Sequence, residues 1–112
     1  FDALFFVAKA PRDATITRIP EAEAVRVLWA SAREILDEVT SGRARAIFPT
    51  RRNLERLARF ASLEEALADA ERHPVQKIVP WIEERDGVKW LCIPDDAGYP
   101  VTAELLETAR RT

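Results

Sequence analysis

Within residues 23–60 the spacing of apolar residues changes period, and that change limits what the chain can fold into. Val25, Val27 and Trp29 alternate with their neighbours, as on one face of a strand. From Ala32 the period lengthens, and Ala32, Ile35, Leu36 and Val39 fall on one face of a helix. Ser31, with Glu34 three residues on, is a capping box: the serine oxygen takes a free backbone N–H and the glutamate reaches back. Gly42 suits the left-handed residue that closes a helix. A basic loop leads to Phe48-Pro49-Thr50, where Thr50 is expected to cap a second helix with Leu54, Leu57, Ala58 and Ala61 inward. A chain that changes period in this way is neither all-α nor all-β, so the expected class is α+β.

The flanks extend the pattern. FDALFFVA reads as a buried strand, continuous rather than alternating, that wants a neighbour on each side. With no methionine anywhere, the chain reads as a piece of a larger unit whose N-terminal half lies elsewhere. Ala14 to Ile19 reads as a short second strand. Ser62 and Glu65 repeat the capping pattern and start a helix with Leu63, Ala66, Leu67 and Ala70 inward, which His73-Pro74 ends. Val75 to Ile82 and Val88 to Ile93 flank Asp86-Gly87, a hairpin signal. Pro80 puts the first of these strands at an edge or a bulge. Thr102 is expected to cap a last helix, with Val101 stapled onto Leu106.

Composition narrows the functions. The 112 residues suit a single domain or domain fragment, 1–112, and 47% hydrophobic with 32% charged residues suits a folded one. A net charge of −2 disfavours nucleic acid and anionic membrane as partners, and no run is long enough to span a bilayer. A lone Cys92 fits a reducing, cytoplasmic setting, and one His with one Cys makes a protein-only zinc site a poor reading.

The ordered residues Ala8, Ala10, Pro11, Glu23, Trp29, Ser31, Leu36, Pro49, Thr50, Leu54, Leu57 and Ala58 resemble the C-terminal half of Nudix hydrolases, nearest the branch with coenzyme A diphosphatases. The likeness covers about residues 1–73, and the tail with Trp81, Trp90 and Tyr99 fits loosely. It implies a partial Nudix-type mixed sheet with flanking helices and a C-terminal β-hairpin and helix. It also implies a small-molecule partner, a nucleoside diphosphate derivative, and magnesium as cofactor of the complete enzyme.

The family's defining box, G-x5-E-x7-R-E-U-x-E-E-x-G-U with U aliphatic, would precede FFVA. Arg33 to Glu38 mimic its core, but Val25, Ile19 and Thr40 stand where Glu, Gly and Gly are required. That segment therefore reads as a solvated helix face, and this chain holds no complete metal site. The resemblance implies a catalytic role for Glu23, six residues before Trp29, as general base or outer metal ligand. Arg26 stands where the family often has a second acid.

Trp29 could stack on a base, and Arg51 and Arg52 could fork onto a substrate phosphate. Competing readings place Trp29 at a core edge and the arginines on a solvated face. Alone, the chain should lack activity.

The alternative is a non-catalytic binding or assembly module. Its first strand would self-associate into a homo-oligomer or pair with a separate N-terminal segment. A helix-turn-helix over 51–60 and 63–72 is disfavoured by Glu64, Glu65, Asp69 and Glu71 on the would-be reading helix.

Overall fold

The computed structural model describes residues 3–14 and 28–110. Among them are four helices and a three-stranded sheet, an α+β arrangement. Three helices come first: α1 (Ala32–Thr40), α2 (Phe48–Leu57) and α3 (Leu63–Arg72). Three strands follow, β1 (Trp81–Arg85), β2 (Val88–Cys92) and β3 (Ala103–Leu105), and then the single turn α4 (Leu106–Ala109). No helix among the described residues is long and apolar enough to cross a membrane.

Local chemistry accounts for the helix starts. Ser31 Oγ accepts from Glu34 N at 3.1 Å, and Glu34 Oε1 accepts from Ser31 N at 2.9 Å, completing the box at α1. That backbone bond, with the serine hydroxyl second, holds the Glu34 carboxyl below its usual range. Gly42, at φ 85°, turns the chain so that the N–H groups of Arg43 and Ala44 return to the Glu38 carbonyl.

At α3 the box is modified. Ser62 Oγ accepts from Glu65 N, but the Glu65 carboxylate reaches Ala61 N, one residue before the cap. The helix ends at Arg72, with His73 at its cap and Pro74 beyond. α2 starts earlier than Thr50. Its cap is Ile47, without a side-chain bond, and Pro49 lies in the first turn, where a missing N–H costs nothing.

β1 and β2 form a two-residue hairpin in register Arg85↔Val88. Asp86 (φ 51°) and Gly87 (φ 80°) both take positive φ, which tight right-twisted hairpins require. β3 pairs antiparallel with the other side of β2, leaving β1 at an edge directly after Pro80. The first hairpin strand is thus shorter than Val75 to Ile82. It begins at Trp81 and runs through Glu83, Glu84 and Arg85 up to the turn.

Other expectations are corrected. Residues 3–8 form no strand: Leu4, Phe5 and Phe6 are 70%, 68% and 85% exposed, because a lone extended segment has no ladder to satisfy its backbone. Both described pairings are antiparallel, and the strands expected over 14–19 and 25–29 fall largely on residues outside the described set. Thr102 caps no helix; its carbonyl accepts from Ile93 N at 2.9 Å, prolonging the β2–β3 ladder, and α4 starts at Leu106.

The buried faces also differ from the apolar stripes. α1 packs against α2, and Leu36 of α1 and Phe48 of α2 are both buried. Cys92, Ile93 and Ala97 form the buried apolar part of the C-terminal half. On α2 and α3, however, the buried residues are Phe48, Arg52 and Asp69, while Leu57 and Leu67 are exposed. Burial of a charge must be offset by pairing, so Arg52 marks where α2 meets the tail and Asp69 where α3 meets α2.

Candidate functional site

The sequence-derived site residues do not converge. Glu23 lies outside the described residues. Trp29 sits in the irregular segment before Ser31 and is 65% exposed, so its ring faces solvent. Arg51 is half-buried, with Nε 3.9 Å from Glu55 Oε2.

Arg52 is 3% exposed. Its Nε and Nη2 donate to the two Glu55 oxygens at 2.6 and 3.0 Å. Nη1 lies 3.0 Å from Glu104 Oε1 of β3, an ion-pair distance at an angle that makes no hydrogen bond. The guanidinium also lies over Phe48, 4.8 Å from the ring centroid. Arg52 thus ties α2 to the sheet and presents almost no surface to a ligand.

A second charged cluster, missed in the sequence, joins α2, α3 and the loop before β3. Asp69 is 2% exposed. Arg56 Nε and Nη2 both reach its Oδ2, at 2.9 and 2.8 Å, and Arg72 and His73 lie 3.5 and 3.3 Å from Oδ1. Burial would raise the Asp69 carboxyl, but the hydrogen bond and charge of Arg56, with His73 and Arg72 behind it, outweigh burial and hold it below its usual range. Arg56 also lies 5.0 Å from the Tyr99 ring centroid, Tyr99 donates to Asn53 Oδ1 at 3.3 Å, and Arg59 donates to the Gly98 carbonyl at 3.3 Å. Gly98, at φ 96°, has no room for a side chain: a Cβ would lie 2.9 Å from Arg56 Nη2 and 3.0 Å from His73 Cγ.

Compared with known proteins, the chain matches no family model, no curated protein and no solved structure.

The box-like segment does not build a metal site. Glu34 is engaged by the α1 cap and Glu38 by Arg43 at 2.9 Å. Among the described residues no three His, Cys, Asp or Glu side chains are grouped to hold an ion. Asp69 was hidden because its partners are spread over α2, α3 and the tail. The only sequence signal was an acidic residue on the stripe that Ala66 and Ala70 mark as inward.

Proposed function

We propose that this chain is the C-terminal part of a Nudix-type hydrolase that cleaves a nucleoside diphosphate linked to another moiety, and that it is inactive alone. The observation that supports this most is the α1–α2 unit. A complete Ser31–Glu34 box opens α1, Pro49 lies in the first turn of α2, and the two helices pack together with Leu36 and Phe48 buried, all within the run that resembles the family. A complete box, which Arg33 to Glu38 do not form, would hold magnesium, and the metal would supply Lewis-acid stabilisation of phosphate charge. Glu23 would take the proton of the attacking water. Trp29, exposed ahead of α1, would receive a base or adenine ring, and Arg51 would face phosphate. The buried Arg52 would serve such a pocket by fixing α2 against β3. A cytoplasmic location accords with the reading.

The test joins the chain to a box-bearing Nudix N-terminal segment and follows magnesium-dependent release of nucleoside monophosphate or phosphopantetheine from coenzyme A, an ADP-sugar and a dinucleotide. Hydrolysis of one of these is expected, with Glu23→Gln lowering kcat by about 100-fold or more, the usual share of a general base. Absence of hydrolysis with all three overturns the reading.

One observation favours the alternative, an assembly module. The apolar run Leu4 to Val7 is exposed throughout, with Phe6 at 85%. Unpaired apolar backbone of this kind suits pairing with another chain. Light scattering that shows a stable oligomer of the chain alone, dissociated by Phe6→Asp, supports that role; a monomer at high concentration rules it out.

A further inference from the structure

Where α2 gives way to α3, Arg59, Phe60, Glu65, Ala68 and Arg72 line an open cleft of about 280 Å³. That is just below the range of typical small-molecule sites and suits a compact ligand. Each arginine side chain has one polar contact among the described residues. Arg59 Nη1 donates to the Gly98 carbonyl at 3.3 Å, and Arg72 Nη2 lies 3.5 Å from Asp69 Oδ1. Each guanidinium has five N–H donors in a planar fork, so one such contact orients the group and leaves most donors to be used. The Arg72 side chain is 64% exposed and accessible to a ligand. Glu65 is the one acid in the lining, and its carboxylate already accepts from Ala61 N. Phe60, half-buried, offers an aromatic surface beside the two cations.

We propose that this cleft binds an organic phosphate, its phosphate group between Arg59 and Arg72 and its flat ring against Phe60. Two forks favour phosphate over carboxylate, because a dianion with three free oxygens can engage both. The hydrogen bond from Arg59 to the Gly98 carbonyl lowers that side chain's ordering cost on binding. The proposal does not depend on the hydrolase reading: it needs neither a metal nor any residue outside the described set.

The experiment titrates the isotope-labelled chain with adenosine monophosphate, and separately with adenosine and inorganic phosphate, following backbone amides and arginine Nε–H signals by NMR. Shifts centred on Arg59, Phe60 and Arg72 are expected, saturating with a Kd on the order of 1 mM, with each half-ligand weaker by about tenfold or more. Arg59→Gln and Arg72→Gln should each weaken binding about tenfold, as loss of one charge-assisted contact does, while Arg33→Gln on α1 should not. Shifts centred elsewhere, adenosine equal to the nucleotide, or unchanged affinity in both arginine variants overturns the proposal. Should Arg59→Gln not fold, the exposed Arg72→Gln and the wild-type shift map decide.

Discussion

Arg56 places both Nε and Nη2 on a single oxygen, Oδ2 of Asp69, at 2.9 and 2.8 Å. This contact ties α2 to α3, and the other face of the same guanidinium lies against Tyr99. One side chain therefore joins two helices and the loop that precedes β3.

Asp69→Ala leaves Arg56 largely buried without its counter-charge. Breaking a buried pair from one side costs about 3 kcal/mol, while the exposed Arg72 adds little. Chemical denaturation should show that loss, and Arg56→Ala in the Asp69→Ala background should cost much less than alone.

The same carboxyl predicts an acid limb. Its pKa in the fold lies below the ordinary 3.8, so the ionised form contributes stability that is present above about pH 4 and is lost as pH falls through the lower folded value. Asp69→Asn should be less stable than wild type at neutral pH, and its stability should fall less on acidification. Parallel acid limbs in the two proteins would falsify the assignment.

Arg52 and Glu104 make a second case. Glu104→Ala should cost about 1 kcal/mol, because Arg52 keeps both hydrogen bonds to Glu55 and loses only an ion pair that makes no hydrogen bond. The volume-matched triple variant Arg52→Met, Glu55→Leu, Glu104→Leu should come within about 1 kcal/mol of wild type or exceed it, since replacing all three charges by apolar groups removes the desolvation cost. Thermal unfolding of the three proteins distinguishes a net-stabilising pair from one that specifies only how α2 meets β3.

Gly98→Ala should destabilise by about 2 kcal/mol. The φ of 96° strains any L side chain, and the added carbon meets Arg56 and His73 at about 3 Å. NMR shifts in the variant should centre on Arg56, His73 and Tyr99; a neutral substitution would show that the loop is free to move off the helices.

Ser31→Ala should cost about 1 kcal/mol through loss of the N-cap. The Glu34 carboxyl should then titrate closer to its ordinary value, since bonds to the Ser31 backbone and hydroxyl depress it.

Contacts between near neighbours could be read from the chain alone. Ser31 finds Glu34 three residues on, Ser62 finds Glu65, and Asp86-Gly87 carries its own turn geometry. Contacts whose partners are distant in sequence could not. Arg56 and Asp69 are 13 residues apart, and Arg52 meets Glu104 from the far end of the chain. An apolar stripe predicts that a helix buries Leu57 and Leu67, but paired charges took the inward positions and left both leucines exposed. The run Leu4 to Val7 shows the same limit. Its residues favour a strand, yet a strand exists only where another supplies the ladder.

Cys92 is the chain's one thiol and is 2% exposed, on the central strand β2 between Trp81 of β1 and Ala103 of β3. A thiol reagent can reach it only when that part of the sheet opens. The speed with which the sulfur is labelled is thus a built-in clock for how often the C-terminal sheet comes apart, readable without altering a single residue.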